Sequence, residues 1–380
     1  MAEAQDGAEQ ARERARYRPA LDGLRALAVV AVLMFHSGSK NFVPGLYPGG
    51  RYGVDVFFVL SGYLITGLLL AEYAKTGTVS LKKFYMRRAL RLLPGLVLLI
   101  GYTAFVVVVV GHNAEGRSAF IAVIPVIFYV GNWAVAANAK QEGLFGHTWT
   151  LALEEQFYLC WPPVLKRALR RDPGARRIAA GLVIAVVAIG VFRAVLTAAN
   201  VSNLYQPVWR FDGLFLGSLL AVFLDRIDTG ALRARLQSPA LGAAALLVVF
   251  GFTLVLPFHT TFEGMGGLSL FLVATAVLVG FAALADQKSG INQVLSWKPL
   301  AALGRISYGV YLFHPATNAL LHSTRIARLP NGVEVVLQET VSIAIAAASY
   351  LLIERRILAL KARFQPLDHS ETLQRSPVDQ

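Results

Sequence analysis

The chain has 380 residues, of which 56% are hydrophobic and only 16% are charged. Soluble domains usually carry about 25% charged residues, and disordered chains combine low hydrophobicity with high charge, so the composition excludes both classes. The apolar residues come in blocks of about 20, the length at which a helix crosses a bilayer. An all-α, polytopic membrane helix bundle is therefore predicted. We assign the formal net charge of +13 to cytoplasmic loops rather than to nucleic acid binding. The single cysteine, Cys160, excludes an internal disulfide framework.

Hydropathy divides the chain into three regions. Residues 1–19 form a polar cytoplasmic tail without the pattern of a cleavable signal peptide. Residues 20–356 form the transmembrane domain, and residues 357–380 form a second cytoplasmic tail that is predicted to be disordered. About ten transmembrane helices are expected. The predicted spans lie at about residues 20–38, 53–72, 92–111, 148–166, 177–197, 208–225, 240–257, 267–285, 300–321 and 334–353.

An additional apolar stretch, residues 118–136, is predicted to re-enter the membrane from the outer side rather than to cross it. If it crossed, the six basic residues of 166–177 would lie outside, against the tendency of basic loops to stay in the cytoplasm. Pro125, Gly131 and Asn132 suit a broken segment, provided that protein surrounds it. Re-entry gives ten crossings, with both termini in the cytoplasm of a protein of the cell inner (plasma) membrane. Hydropathy alone gives eleven.

The first span carries an arginine and a histidine on one face. Arg25 and His36 are eleven residues apart, which is about three helical turns and a rise of roughly 16 Å. Ionisable residues at the centre of a membrane helix cost about 2.5–3.5 kcal/mol on insertion scales, so they usually mark a function or a buried pair. The two side chains either extend to opposite membrane surfaces or line one interior groove.

Residues 80–94 have the amphipathic pattern of a helix that lies in the inner membrane interface. Ser80 can cap its start, and Arg88 falls on the apolar face, so we expect Arg88 to point into protein. One interpretation of the basic residues is attraction to anionic membrane lipid headgroups. The other is that Arg88 and Arg91 bind a phosphate group, for which the planar guanidinium is well suited.

The fourth span places two adjacent carboxylates, Glu154 and Glu155, about six residues from its outer end. Such a pair is heavily penalised inside a membrane unless it has a partner. A structural salt bridge to Arg210 or Arg193 is one interpretation. Participation in a chemical site is the other.

The second span carries Asp55 near its outer end. This carboxylate either pairs with a local arginine such as Arg51 or belongs to a site. Ser61 and Gly62 lie in the middle of the same span, where small residues favour close helix packing.

Two later spans carry the remaining candidates. Arg210 and Asp212 lie just inside the outer end of the sixth span, where they pair either with each other or with a neighbouring helix. His314 lies in the outer half of the ninth span and precedes Pro315. The histidine either satisfies the backbone carbonyl that the proline leaves free or takes part in a site.

Together these residues form two sets. The inner side gathers basic residues suited to an anion, namely Arg25, Arg88, Arg91 and Arg305. The outer half gathers charged and acid–base groups, namely His36, Asp55, Glu154, Glu155, Arg210, Asp212 and His314. The sequence contains no metal-binding motif, no P-loop and no GxGxxG, so no metal and no permanently bound cofactor are expected.

Six blocks of sequence resemble, in their order and spacing, the acyltransferase 3 family of integral membrane acyltransferases. The blocks are LDGLRALAVVAVLMFH (21–36), GVDVFFVLSGYLI (53–65), RRALRLLP (87–94), TWTLALEEQFYLCWP (148–162), RFDGLFLG (210–217) and SYGVYLFHP (307–315). The resemblance implies an enzyme that transfers an acyl group, commonly acetyl, from cytoplasmic acyl-CoA. The implied acceptor is a hydroxyl of an extracytoplasmic glycan, glycolipid or secreted metabolite.

The resemblance also implies roles for individual residues. The arginine–histidine pair of the family's first helix matches Arg25 and His36, and the histidine is regarded as catalytic. The family's Arg-x-x-Arg matches Arg88 and Arg91 and is associated with the donor, acyl-CoA. A family glutamate matches Glu154.

Physical chemistry is compatible with these roles. The phosphates of CoA cannot cross the bilayer, and an arginine clamp on the inner face can hold them. A neutral His36 can take the proton of the acceptor hydroxyl, with Glu154 at comparable depth to orient it. An acyl-histidine intermediate is the alternative to direct transfer. The substrate-binding or supporting residues are then Asp55, Arg210, Asp212 and His314.

Some members of the family carry a fused C-terminal hydrolase-like domain, which we expect this chain to lack. Any work of that domain on the acceptor is then unnecessary or done by a separate envelope partner protein. Two functions of other classes stay open. One is a secondary transporter or export component for a polar envelope precursor, which also uses charges and broken helices near the midplane, and the other is an accessory scaffold.

Overall fold

The described part of the chain is a bundle of helices. The computed structural model describes residues 18–36, 48–110, 122–136, 144–201, 210–227, 230–257, 260–324, 326 and 329–360. Every regular element in these ranges is a helix, which confirms the all-α prediction. The predicted tails lie mostly outside these ranges, except that the chain is still helical at Ala359, beyond the predicted start of the second tail.

The helices are numbered here in chain order. They are α1 (Pro19–His36), α2 (Tyr52–Thr76), α3 (Leu81–Val110), α4 (122–127), α5 (Gly131–Ala136), α6 (Trp149–Arg171), α7 (Arg176–Ala198), α8 (Phe211–Arg226), α9 (Gly230–Leu236), α10 (Pro239–Val255), α11 (Leu268–Leu284), α12 (Gly290–Leu295), α13 (Lys298–His322), α14 (Asn331–Ser349) and α15 (Arg355–Ala359). A 3₁₀ turn, Gly146–Thr148, precedes α6. Two π-helical segments, Glu263–Gly267 and Tyr350–Glu354, precede α11 and follow α14.

Six helical stretches among the described residues are long and apolar enough to cross a membrane, and a seventh follows if α9 and α10, bent by 62°, form one span. The six are α1, α2, α3, α7, α11 with its π segment, and α14 with its continuation. Helices α6, α8 and α13 coincide with the other three predicted spans, but α6 and α13 carry more polar side chains and α8 has 16 residues. The chain is a multi-pass membrane protein, and the count of about ten crossings stays a prediction.

The predicted interfacial helix is not a separate element. Residues 81–94 form the first half of α3, a single helix of 30 residues that continues through Pro94. Membrane helices tolerate an internal proline because neighbouring groups satisfy the carbonyl that it frees. The predicted cap at Ser80 is present, since its hydroxyl accepts a hydrogen bond of 3.4 Å from the backbone amide of Lys83.

The apolar segment 118–136 is broken, as predicted. A turn separates α4 from α5, and Tyr129 in this turn has a positive φ of 52°. Gln156 of α6 donates to the Tyr129 carbonyl (2.9 Å) and exchanges hydrogen bonds of 2.8 and 3.2 Å with the Asn132 amide. Helix α6 therefore covers one side of the break, where Asn132 is buried, whereas Phe128 and Trp133 are exposed. The predicted enclosure of the break by protein is met on that side only. Both flanks of the segment lie outside the described residues, so re-entry stays a prediction.

Glycines bring α2 and α8 into direct backbone contact. A Cβ atom at Gly62 would lie 2.0 Å from the carbonyl oxygen of Leu214, and one at Gly217 would lie 2.0 Å from the carbonyl oxygen of Val59. Small residues allow such an approach, so the packing role predicted for Gly62 is confirmed.

Helix α1 packs against α13 in the same way. A Cβ atom at Gly304 would lie 1.8 Å from the carbonyl oxygen of Asp22. The contact fixes the height of α13 relative to α1, and therefore the height of His314 relative to His36.

Candidate active site

The structure places the predicted site residues in three groups, which also include residues that were not predicted, His147, Tyr311 and Glu263 among them. The histidine cluster is His36, His147, Tyr311 and His314; the ion network is Asp55, Arg193, Arg210, Asp212 and Glu263; and the arginine cluster is Arg25, Arg88, Arg91, Glu154 and Glu155. The histidine cluster lies near the C-terminal end of α1. The arginine cluster lies near the N-terminal ends of α1 and α3.

The histidine cluster brings three imidazole rings together from three elements. The centroid of the His36 ring, at the end of α1, lies 5.0 Å from that of His314 in α13. The ring of His147, in the 3₁₀ turn, lies 5.4 Å from His314 and 5.3 Å from the ring of Tyr311. The His36 side chain is exposed, whereas His314 is fully buried.

Backbone carbonyls fix the tautomers of two of these histidines. The Nδ1 atom of His36 lies 2.8 Å from the carbonyl oxygen of Val32, and Nδ1 of His314 lies 2.8 Å from that of Tyr311. A carbonyl oxygen only accepts, so both Nδ1 atoms carry the hydrogen and both Nε2 atoms keep a lone pair. Because Pro315 has no N–H to donate to the Tyr311 carbonyl, the structural interpretation of His314 is confirmed. The same contact leaves its Nε2 available for chemistry.

Tyr311 ties the third histidine to α6. Its hydroxyl lies 2.8 Å from the carbonyl oxygen of His147, to which it can donate, and 2.7 Å from the Thr150 hydroxyl. The sequence analysis missed His147. The only signal was its position directly before the block of residues 148–162 that matches the family.

A pocket opens between the histidine cluster and the ion network. Its lining residues are His36, Arg51, Val54, Asp55, His147, Trp149, Arg210 and Tyr311. The pocket therefore combines a basic imidazole, two aromatic rings and a buried ion pair, which is a surface suited to a ligand with hydroxyl groups.

Arg210 is the centre of the ion network. Its guanidinium donates to both carboxylate oxygens of Asp55 (2.9 and 3.1 Å) and to Glu263 (2.9 Å), and all three side chains are buried. Asp55 therefore pairs with Arg210 rather than with Arg51, because the guanidinium reaches it bidentately from α8. Glu263, at the start of the π-helical segment, was not predicted.

The second half of the ion network joins α7, α8 and α11. Arg193 donates to Asp212 at 2.6 Å and to the Ser269 hydroxyl at 2.7 Å. The pairing of Arg210 with Asp212 that the sequence left open does not form; each binds a residue of another helix. The predicted alternative of Arg193 as a partner of Glu154 or Glu155 also does not form.

Arg88 points into protein, as predicted. It donates to Glu155 at 3.0 Å, and its guanidinium carbon lies 3.6 Å from the centroid of the Tyr158 ring, in a cation–π geometry. Arg88 is thus held in place by α6 rather than by lipid headgroups.

Arg91 is the exception in the arginine cluster. Within the part of the chain that the structure describes, it makes no hydrogen bond and no ion pair, and Arg25 and Arg88 lie within electrostatic range. Arg25 pairs with Asp22 of the same helix, at 3.1 Å. Like charges gathered in a partly buried site repel each other, so the cluster favours the binding of an anion.

Glu154 lies with the arginine cluster rather than beside His36. Its carboxylate accepts a hydrogen bond of 2.8 Å from Ser61, and Arg88 and Arg25 are the nearby cations. In the described residues no hydrogen bond joins Glu154 to His36. The predicted contact fails because Glu154 lies two helical turns, about 10 Å, beyond the level of His147 along α6.

The described residues hold no group of three or more histidine, cysteine, aspartate or glutamate side chains arranged for a metal ion.

The family model described as an acyltransferase domain, that of the acyltransferase 3 family, matches residues 18–352. The chain belongs to this family. The match covers all three groups of the site, so the acyltransferase 3 domain includes both the histidine cluster and the arginine cluster.

Curated relatives of the acyltransferase 3 domain are bacterial proteins. YrhL of Bacillus subtilis is 34% identical over 363 residues, covering 90% of this chain and 55% of YrhL. Peptidoglycan O-acetyltransferase OatA of Listeria monocytogenes is 32% identical, covering 90% of this chain and 56% of OatA. O-acetyltransferase OatA of Staphylococcus aureus is 30% identical, covering 79% and 50%. The chain thus spans about half the length of the curated relatives it matches. No solved structure matches the chain.

Proposed function

We propose that the protein is a membrane O-acyltransferase that moves an acetyl group from cytoplasmic acetyl-CoA to a hydroxyl of an extracytoplasmic glycan. The observation that carries the proposal is the placement of an incompletely paired arginine cluster and a histidine cluster at the two ends of one helix, α1. The relatives support the acetyl group and the glycan, since OatA of Listeria monocytogenes is named a peptidoglycan O-acetyltransferase and OatA of Staphylococcus aureus an O-acetyltransferase.

The arginine cluster is the proposed binding site for the donor. Among the described residues Arg91 makes no hydrogen bond or ion pair, and Arg25 and Arg88 keep N–H groups that can donate to a phosphate oxygen. Arginine binds phosphate bidentately, which fixes the orientation of the donor as well as its position. The N-terminal ends of α1 and α3 then face the cytoplasm, in agreement with the basic loops of the sequence.

The distance between the clusters fits the donor. Arg25 and His36 are separated by a rise of roughly 16 Å along α1. The pantetheine arm of CoA reaches on the order of 15–20 Å when extended at peptide-like dimensions. A CoA molecule held by its phosphates at the arginine cluster therefore presents its thioester near the histidine cluster.

His36 is the proposed general base. Its exposed imidazole lines the pocket, and the Val32 carbonyl holds it in the tautomer whose Nε2 can take a proton. The acceptor hydroxyl loses its proton to Nε2 of His36 as the hydroxyl oxygen bonds to the acyl carbon. The bond between the acyl carbon and sulfur breaks, and CoA leaves as the thiolate. Proton transfer of this kind contributes about 10²–10⁴-fold in rate.

Purified protein in proteoliposomes, supplied with labelled acetyl-CoA and a peptidoglycan glycan fragment, tests the proposal. We expect labelled acetyl ester on the glycan, and at least a hundredfold lower rate for His36→Ala with unchanged CoA binding. His322→Ala is the matched control, because His322 ends α13 and its side chain is 73% exposed. Equal rates for the two variants would remove His36 from the base role. Solute flux without acetyl-CoA, together with no acetyl ester, would favour a transporter instead.

A further inference from the structure

His314 has a buried ring nitrogen that plays no part in general base catalysis by His36. We propose that Nε2 of His314 is the nucleophile that carries the acyl group as an acyl-histidine intermediate, while His36 serves the acceptor. The inference rests on the proposed function and divides the reaction between two histidines of the same site.

The first observation concerns the burial of His314 and the hydrogen bonding of its Nε2 atom. His314 is 0% exposed, and its Nε2 has no hydrogen-bond partner in the described residues. Buried polar atoms are almost always paired, because an unpaired one costs about 1–3 kcal/mol. Such an atom calls for a functional reason, and a lone pair on an imidazole is a nucleophile.

The second observation is the hydrogen bond that fixes the tautomer of His314. Its Nδ1–H is occupied by the Tyr311 carbonyl, so the atom left with the lone pair is Nε2. Acylation of Nε2 makes the ring positive, and the Tyr311 carbonyl is an acceptor already in place for the polarised Nδ1–H. The arrangement follows from Pro315, which leaves that carbonyl without its helical partner.

The third observation is the height of His314 in the bundle. Helices α1 and α13 run in the same direction, since Asp22 contacts Gly304 and, further along both helices, His36 contacts His314. His36 lies 14 residues beyond the first contact and His314 only ten, so the backbone of His314 is closer to the arginine cluster by a rise of up to about 6 Å. The two rings lie at similar depth, with centroids 5.0 Å apart, so a thioester that comes within reach of His36 is also near His314.

The surroundings suit an acyl-imidazole. The rings nearest to His314 are those of His36, His147 and Tyr311, and no described carboxylate bonds to it. A closed site also keeps water from hydrolysing a reactive intermediate. The 5.0 Å between the His36 and His314 ring centroids places the base beside the acyl group that an acceptor hydroxyl would attack.

Both chemical steps balance without another reactant. In the first, Nε2 of His314 attacks the thioester carbon, the C–N bond forms, the C–S bond breaks and CoA leaves as the thiolate. In the second, the acceptor oxygen attacks the acyl carbon, its proton passes to Nε2 of His36, the C–O bond forms and the C–N bond to His314 breaks. Release of that proton from His36, matched by protonation of the thiolate, restores the enzyme.

The test separates acylation from transfer. Purified full-length protein is incubated with acetyl-CoA and labelled CoA in the absence of any acceptor, and exchange of the label into acetyl-CoA is measured. Acid-free quenching and peptide mass spectrometry then locate the acetyl group. We expect exchange by the wild-type protein and by His36→Ala, with acetyl on His314 accumulating in His36→Ala because the second step is blocked.

The matched variant is His314→Asn. The asparagine amide nitrogen occupies the place of Nδ1 and keeps the hydrogen bond to the Tyr311 carbonyl, but no atom replaces Nε2. We expect its thermal stability and CoA affinity to be unchanged, while exchange falls at least tenfold.

Three results would contradict an acyl-histidine intermediate at His314. They are acetyl transfer by the wild-type protein without exchange, exchange by His314→Asn at the wild-type rate, and acetyl found on a residue other than His314. The first of these leaves the proposed function intact as direct transfer. Absence of both exchange and transfer in the wild-type protein would contradict the proposed function itself, and the intermediate with it.

Discussion

The ion network and the arginine cluster are both groups of arginines inside a membrane protein, yet they differ in how completely they are paired. In the ion network, Arg193 and Arg210 bind carboxylates of other helices, with distances of 2.6–3.1 Å. In the arginine cluster, Arg91 has no hydrogen bond or ion pair in the described residues. We interpret the carboxylate-paired arginines as holding helices together, and under the proposed function the incompletely paired arginines keep donors for the phosphates of the donor substrate.

The largest effect is expected from removing the centre of the ion network. Arg210→Ala leaves the carboxylates of Asp55 and Glu263 buried without their shared cation, which typically costs about 3–5 kcal/mol. Denaturation of the purified protein in detergent measures the loss of the free energy of unfolding. Arg235→Ala, an exposed arginine, is the control and should stay within about 0.5 kcal/mol of wild type. An Arg210→Ala protein as stable as the control would show that the network is not structural.

For Arg91 we expect the opposite result, with stability retained and acetyl-CoA affinity lost. Arg91→Ala removes no hydrogen bond or ion pair among the described residues, so the free energy of unfolding should not fall. A lost charged hydrogen bond to the donor costs about 1.5–3 kcal/mol of binding free energy, which is roughly 10- to 150-fold in acetyl-CoA affinity. Titration calorimetry with acetyl-CoA measures the affinity.

The matched control for Arg91 lies one turn earlier on α3. Arg87 binds Glu72 at 2.9 Å, so Arg87→Ala should lower the stability and leave acetyl-CoA affinity near that of wild type. If Arg87→Ala weakened acetyl-CoA binding as much as Arg91→Ala, the difference between paired and unpaired arginines would have no functional meaning.

A smaller effect is expected for Arg88→Lys, because the charge stays while the planar fork and the stacking on Tyr158 are lost. We expect acetyl-CoA affinity to fall by roughly 2- to 30-fold, since an exposed cation–π contact is worth about 0.5–1 kcal/mol and a buried one about 2 kcal/mol. The same calorimetry checks it. Affinity as low as in Arg88→Ala would mean that geometry, and not charge, governs donor binding.

The smallest effect is expected for Ser61→Ala. The substitution removes one hydrogen bond to Glu154 and should cost about 0.5–1.5 kcal/mol of stability, with acetyl-CoA affinity changed less than in the arginine variants. Thermal unfolding measures the first quantity and calorimetry the second. A loss of affinity equal to that of Arg91→Ala would place Glu154 in direct control of the donor site.

Local patterns predicted the parts of this molecule that depend on neighbours in sequence. The shared face of Arg25 and His36 follows from helical periodicity, and the inward direction of Arg88 follows from the stripe of residues 80–94. The break within 118–136 follows from proline and glycine. Each needs only the geometry of one helix.

Partners from distant helices could not be predicted in this way. Asp55 meets an arginine 155 positions away, and no local rule prefers Arg210 to the nearby Arg51. His147 escaped notice because a histidine just outside a span has nothing unusual in its sequence context. Glu154 was assigned to the wrong level because the depth of a residue depends on where its helix starts, which hydropathy gives only approximately.

The glycine contacts between α2 and α8 have a consequence for motion. A Cβ at Gly62 or Gly217 would lie 2.0 Å from a carbonyl oxygen of the other helix, so only glycine allows the two backbones to touch there. Close backbone contact at two points favours motion of α2 and α8 together, with Asp55 and Arg210 on the same side of the pocket. Any widening of the pocket is then expected at its other walls, which carry His36, His147, Trp149 and Tyr311.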